Sequence, residues 1–247
     1  MSDNATTHFG FRTVPTGAKK GLVRAVFDSV APRYDLMNDL MSLGIHRVWK
    51  RIFVTALGPR PSMRLLDLAG GTGDIAFAAL ERGCGNAVLS DINPAMLRIA
   101  EERAIERGLI GRMEILCADA ERLPLPDDRF DAVTIAFGLR NCTDLDAVLR
   151  EGHRVLKPGG RFLCLEFARV TVAALAPLYD AYSFKVLPLL GRTVAKDEEA
   201  YRYLAESIRR FPPQPELARR MREAKLERVT WRDLSGGIAA IHSGWKI

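Results

Sequence analysis

Between residues 61 and 169 the chain alternates two hydrophobic patterns. Short, nearly continuous apolar runs bounded by glycine, proline or asparagine are followed by longer segments whose apolar positions recur every three or four residues. The first pattern is that of parallel strands buried on both faces, the second that of helices packed across them. The spacing predicts strands over residues 64–69, 87–91, 113–118, 130–137 and 161–167. Helices are expected over 74–82, 95–107, with Pro94 at the first helical position, and about 144–156. Residues 123–128 read as an exposed turn, and Lys157-Pro158-Gly159-Gly160 as the stop after the last of these helices. Strand-and-helix units in this order, without an internal repeat, imply an α/β fold with a doubly wound parallel sheet. Outside that core, residues 1–60 carry helical patterns and form a cap. Residues 170–225 read as a mostly helical insertion on the substrate side, before two final strands near 226–233 and 237–242. The whole chain, 1–247, is thus expected to be one domain with a mostly parallel seven-stranded sheet, its central core over 61–169 and its closing strands within 226–247.

The first predicted strand runs straight into Gly70-Gly71-Thr72-Gly73-Asp74, at the strand end where open α/β sheets bind ligands. Glycines let the backbone approach a ligand closely, and the helix starting near Asp74 points free N–H groups at it. Asp91 closes the second strand, where a carboxylate can accept both hydroxyls of a ribose, which fits any adenosine cofactor. Gly71-Thr72-Gly73-Asp74-Ile75-Ala76 also satisfies the dinucleotide pattern, with an acid about 20 residues on. Asp67 separates the two readings. An acid inside the strand suits the ammonium of S-adenosylmethionine and repels a pyrophosphate. A nicotinamide cofactor stays as the alternative that a binding titration would decide.

With 48% apolar residues in 247, the chain can bury a full core. Cys84, Cys117, Cys142 and Cys164 are widely spaced and read as reduced core or near-core thiols, and the four histidines show no metal-ligand spacing, so no metal is expected. The first residues lack the order of a secretory signal, so the protein is expected to stay where it is made. The apolar stretch 170–190 is broken by Pro177, Asp180, Lys185 and Pro188 and is not a spanning helix. A net charge of +6 favours an anionic surface, membrane or nucleic acid. Residues 215–226 are amphipathic and basic, which leaves an interfacial role open, although a solvated helix face explains such a cluster as well.

The particular segments are Thr7-His8-Phe9-Gly10-Phe11, Tyr34-Asp35-Leu36-Met37-Asn38-Asp39-Leu40-Met41-Ser42, Gly44-Ile45-His46-Arg47, residues 67–74, Phe137-Gly138-Leu139-Arg140-Asn141, residues 154–160 and Tyr179-Asp180-Ala181-Tyr182-Ser183. In these, and in its closing Ala239-Ala240-Ile241-His242-Ser243-Gly244-Trp245-Lys246, the chain resembles the ubiquinone/menaquinone biosynthesis C-methyltransferases. That family is a branch of the class I, Rossmann-like S-adenosylmethionine-dependent methyltransferases. The glycine turn and Lys157-Pro158-Gly159-Gly160 identify only the superfamily, while the N-terminal segments and Phe137–Asn141 are more particular.

The resemblance implies methyl transfer from S-adenosyl-L-methionine to a ring carbon of a polyprenylated benzoquinol or naphthoquinol. The donor site then includes Asp67, Gly71, Thr72 and Gly73 at the turn, Asp91 on the ribose, and Asp119 with Ala120 beside the adenine. Ala136 stands where family members often have Ser, so any donor contact there is made by backbone. Arg140 and Asn141 directly follow the fourth strand and are expected beside the reacting methyl. Arginine is a poor base, so the expected task is to stabilise a developing phenolate or orient a water. A helix-capping Asn141 beside a salt-bridged Arg140 is the competing reading. Tyr34, as a further catalytic candidate, and His46 and Tyr182 are expected to meet quinol oxygens, with ordinary packing the competing reading for each. The expected partners are the prenylated quinol, an anionic membrane surface and other quinone-biosynthesis enzymes, with the protein cytoplasmic and peripheral to the inner face of a bacterial membrane. Nucleic acid is not expected, because Phe137-Gly138-Leu139-Arg140 stands where base-directed enzymes often carry Asn-Pro-Pro-aromatic or Asp-Pro-Pro-aromatic. A methyltransferase for another acceptor, and a non-catalytic donor-binding assembly protein at the membrane, are the remaining alternatives.

Overall fold

In the computed structural model, residues 6–30, 39, 42, 44–174, 177, 179, 182 and 198–247 are described. The chain begins with an antiparallel hairpin of β1 (Thr6–Phe9) and β2 (Arg12–Pro15), closed by the pair Phe9 and Arg12. This corrects the expectation of a wholly helical cap. β-Branched Thr6, Thr7, Thr13 and Val14 flank a two-residue turn whose Gly10 holds φ at +58°, a conformation suited to glycine. Two helices follow, α1 (Thr16–Val30) and α2 (His46–Leu57). α2 ends on Gly58 at φ +64°, whose N–H donates to the Val54 carbonyl.

The main sheet contains β3 (Arg64–Leu68), β4 (Asn86–Asp91), β5 (Met113–Cys117), β6 (Phe130–Ala136), β7 (Leu156–Phe167), β8 (Glu227–Leu234) and β9 (Ala239–Trp245). Their order is β5-β4-β3-β6-β7-β9-β8, parallel through β7 and antiparallel where β9 pairs with β7 and β8. The chain moves outward from β3 to β5 and then returns to β6 on the other side of β3. That reversal opens a crevice above the C-terminal ends of β3, β4 and β6.

Helices α3 (Asp74–Glu81), α4 (Pro94–Glu106), α5 (Leu145–Val155), α6 (Glu198–Arg210) and α7 (Gln214–Glu223) complete the described elements. Asn93 caps α4 by accepting from the Ala95 and Met96 amides, and Asp144 caps α5 through the Ala147 amide. The sheet separates two cores, and the two-residue period of β3 serves both. Leu65 joins Phe53, Phe77 and Leu204 on one face, while Leu66 and Leu68 join Val148, Phe162 and Met221 on the other.

Several boundaries differ from expectation. Lys157-Pro158-Gly159-Gly160 lies inside β7, because Gly159 N–H donates to the Lys246 carbonyl (2.7 Å) and Lys246 N–H returns to Gly160 (3.0 Å). The same pairing extends the last strand beyond residue 242, to Trp245. Cys117 is exposed rather than near the core. The apolar side of the 215–226 stretch is consumed by the fold. Leu217, Met221, Ala224 and Leu226 are buried in the second core, and Arg219 and Arg220 pair with Glu216, Glu223 and Asp146. That surface therefore lacks the free apolar face of an interfacial helix, although Arg222 meets only the Val229 carbonyl and Lys225 has no ion-pair partner among the described residues. Of the 170–225 insertion, α6 and α7 are helical as expected, while most of 175–197 lies outside the described residues.

Candidate active site

The turn after β3 is built from backbone conformations that side chains disfavour. Gly71 and Gly73 hold φ at +56° and +90°, and Ala69 stands at +46° although it carries a Cβ. Across from it Phe137, directly after β6, stands at +58°. For Ala69 and Phe137, which carry a Cβ, such conformations cost of order 1–3 kcal/mol each, and they cluster at ligand sites. At Gly70 a Cβ would meet Leu89 Cδ1 at 2.2 Å and Asp67 Oδ2 at 2.8 Å, so the chain passes the carboxylate only without a side chain.

Above this turn runs a cleft lined by Ala69, Gly71, Asp91, Asp119, Ala120 and Asn141. Its roof is one face of α1, with Lys20, Val23, Arg24 and Phe27 at helical spacing. Asp91 Oδ2 accepts the Gly71 N–H (2.9 Å) and Oδ1 the Asn93 N–H (2.8 Å), which fixes the carboxylate while leaving each oxygen a lone pair for a hydroxyl. Burial raises its pKa. Lys20 Nζ bridges Asp119 and Glu121, and Asp119 Oδ1 also accepts the Glu121 N–H.

The cleft continues past Ala69 and Phe137 into a smaller hollow lined by Asp67, Thr72, Asp74 and Ala136. Asp67 is almost fully buried. Its Oδ1 accepts the Thr134 hydroxyl at 2.7 Å, while Oδ2 has no hydrogen-bond partner among the described residues. Desolvation pushes its pKa up to about 7. A buried carboxylate oxygen without a donor, at the edge of a cleft, suits a cation. The ammonium of S-adenosylmethionine fits it, and a pyrophosphate does not. Thr72 lines this hollow, and its Oγ1 accepts from Arg103 Nη1 (3.0 Å). Asp74 is held by Lys50 (2.6 Å) and Arg103 (3.2 Å). Sequence reasoning missed Lys50 and Arg103, whose helical spacing gave no sign of a shared partner.

Arg140 and Asn141 form a helical turn after β6 and part company there. Arg140 is buried, its Nη1 on Glu166 (3.0 Å) and on the Phe137 carbonyl (2.6 Å), its guanidinium 5.4 Å from the Phe167 ring. Arg140 thus takes the salt-bridged arrangement of the competing reading, and it does not line the cleft above the turn. Asn141 does line it, and its Oδ1 accepts the Tyr203 hydroxyl at 3.1 Å. Tyr203 stacks on Phe9 with ring centroids 4.1 Å apart, so the N-terminal hairpin supports the residue that holds Asn141. Tyr203 was missed, since nothing local marks it. His46 is buried with Nδ1 2.8 Å from Ser42 Oγ, and burial lowers its pKa to about 4. It lines a hollow with Lys50 and Asp74, residues that also line the hollow beside Asp67, and it does not line the main cleft. Tyr182 is half-buried against the first core and is not among the cleft-lining residues. Tyr34 lies outside the described residues.

Comparison with known proteins agrees with this geometry. Residues 13–246 match the ubiE/COQ5 methyltransferase family. The ubiquinone/menaquinone biosynthesis C-methyltransferase UbiE of Acidiphilium cryptum is 60% identical, with 100% of both chains covered. The protein of the same name from Yersinia enterocolitica is 52% identical over 99% of this chain and 98% of its own. Among solved structures, an S-adenosylmethionine-dependent methyltransferase of Thermotoga maritima superposes with a TM-score of 0.66 at 20% identity, covering 91% of this chain and 100% of that one. Geranyl diphosphate C-methyltransferase from Streptomyces coelicolor, in complex with S-adenosyl-L-homocysteine, gives a TM-score of 0.60 at 14% identity, with 84% and 82% covered. These two likenesses concern the fold. From its sequence over nearly its full length, the chain belongs to the ubiE/COQ5 methyltransferase family.

Proposed function

We propose that this protein methylates a ring carbon of a polyprenylated benzoquinol, a demethylated naphthoquinol, or both, with S-adenosyl-L-methionine as donor. The observation that carries the reading is full-length identity of 60% to a ubiquinone/menaquinone biosynthesis C-methyltransferase. The buried Asp67 oxygen, unpaired among the described residues, supports the donor.

When bound, S-adenosylmethionine supplies an electrophilic methyl on a sulfonium. Asp67 would hold the ammonium, Asp91 the ribose hydroxyls, and Asp119 with the Ala120 backbone the adenine. Gly71 and Gly73 give the backbone room, and Ala69 and Phe137 wall the narrow passage and exclude water. Alignment of this kind supplies several orders of magnitude in rate. Asn141 is the polar side chain of its turn that lines the cleft, and its amide is suited to orient the acceptor hydroxyl ortho or para to the reacting carbon. An amide takes no proton, so the proton leaves through water. Arg140, balanced by Glu166, supports the turn and acts on that hydroxyl only at longer range. Tyr34, His46 and Tyr182 belong to the proposal as acceptor contacts from the N-terminal segment and the insertion.

The prenyl tail brings the enzyme to lipid, and the reading includes peripheral association with the inner face of a bacterial membrane, alongside other quinone-biosynthesis enzymes. Among the described residues no helix is long and apolar enough to cross a membrane. Exposed Ile45 and Val48 beside Arg51 and the Asp39-paired Arg47 at the start of α2 offer a mixed apolar and polar face. Flotation with anionic liposomes at low salt tests that part, and failure of the lipid to retain the protein would remove it. The reaction itself is tested by mass spectrometry of prenylated benzoquinol and naphthoquinol acceptors, kept reduced or oxidised. Methylated product only from the reduced ring is expected, because that ring is electron-rich. Donor binding without product from either acceptor would refute the reading.

A further inference from the structure

Beyond the turn that carries Asn141 lies a second cavity, of about 190 Å³, charged in one sense only. Lys19, Arg140, Arg210 and Arg220 line it, and no Asp or Glu does. Two of these cations are balanced from outside the cavity, Arg140 by Glu166 and Arg220 by Asp146 and Glu216. The other two have no ion-pair partner among the described residues. Lys19 is buried and donates to the Cys142 carbonyl at 2.6 Å, and Arg210 lies 6.0 Å from the Phe11 ring. Burial lowers the pKa of Lys19 even though Glu121 acts on it in the opposite sense, so the desolvated ammonium is only partly compensated.

Two further groups lack partners. Arg140 is 7% exposed, and its Nε has no hydrogen-bond acceptor; Thr143 Oγ1 is buried and equally unpaired. Both residues line this cavity. Buried donors are rarely left orphaned without a reason. Here the orphans and the unbalanced cations share one enclosure.

We propose that this cavity binds a small oxyanion of the phosphate class, free or as a phosphomonoester. Its donors come from separate elements: Lys19 from α1, Arg140 and Thr143 from the segment after β6, and Arg210 from the end of α6. A tetrahedral anion presents oxygens in several directions and can meet such a set, whereas a carboxylate presents two oxygens in one plane. Thr143 lines the donor cleft as well, and Asn141 and Cys142 form the wall between. An anion here therefore bears on the donor site from behind, without entering it. The assignment does not depend on which acceptor is methylated.

Calorimetric titration of the full chain with inorganic phosphate at constant ionic strength tests this, with glycerol 3-phosphate, sulfate and acetate as parallel arms. One-to-one binding of phosphate and sulfate is expected, with acetate at least tenfold weaker. Binding by glycerol 3-phosphate as well would extend the site to esters, and its failure would restrict it to the free ion. Arg210 is exposed, so Arg210→Gln should fold and keep its S-adenosylmethionine affinity while losing tenfold or more in phosphate affinity. Thr143→Val should weaken phosphate several-fold. Absence of saturable phosphate binding at millimolar concentration, unchanged affinity in Arg210→Gln, or competition between phosphate and S-adenosylmethionine for one site would each overturn the proposal.

Discussion

Asp67 near the end of β3 and Glu166 near the end of β7 are each 1% exposed, yet the fold treats them in opposite ways. Glu166 Oε1 accepts from the Arg140 backbone and Nη1, and Oε2 from Nη1 and the Phe167 amide, so both oxygens and the charge are satisfied by folding. Asp67 receives the neutral Thr134 hydroxyl and the influence of the Ala76 backbone amide, and its Oδ2 has no hydrogen-bond partner among the described residues. Burial raises the pKa of both groups. A closed pair such as Glu166 with Arg140 reports architecture. An open one such as Asp67 reports a ligand that completes it.

The contrast can be broken by mutation. Glu166→Gln should have the largest effect, because it strands a buried guanidinium. A loss of about 3–5 kcal/mol is expected, read from denaturant unfolding, with donor affinity of the folded fraction nearly unchanged. Asp67→Asn should do the reverse. Donor affinity should fall by about 100-fold or more in calorimetry, as a buried charge-assisted contact is lost.

The ligand-free Asp67→Asn protein should gain stability at pH 8, and the sign follows from the raised pKa. Near pH 4 to 7 the unfolded chain has ionised this carboxyl while the folded one still holds its proton. The penalty of ionised Asp67 is therefore absent below that window, grows as pH rises through it, and is complete above about 7. The gain should be of order 2–4 kcal/mol at most. In the unmodified protein, donor affinity should weaken by up to about tenfold per pH unit below 7, with one proton released on binding. Calorimetry in buffers of different ionisation enthalpy reads that proton directly. The smallest effect sharpens the view of Asn141. Tyr203→Phe removes one hydrogen bond worth about 1 kcal/mol, and should lower kcat about three- to fivefold with KM for the donor unchanged.

What the sequence disclosed was local. The apolar run of β3, the glycines that follow and the acid within the strand lie in one short segment, and Asp91 ends the next strand, so spacing alone brought these residues to one end of the sheet. Hidden features depend on distant partners. Periodicity shows that Arg140 sits beyond a strand, but not that Glu166, 26 positions on, captures it. It makes α6 amphipathic without revealing that Tyr203 reaches Asn141, 62 positions away. The hairpin at residues 6–15 was obscured because its strands are only four residues each. The 215–226 stretch looked interfacial because periodicity identifies an apolar face without saying what covers it.

The α1 roof has a kinetic consequence. Lys20 ties that roof to Asp119 and Glu121, beneath which the adenine is proposed to lie. With the adenine held there as proposed, exchange of spent donor for fresh would require this charged latch to loosen. Turnover would acquire a sensitivity to ionic strength at product departure, even though the methyl passes between groups shielded from salt.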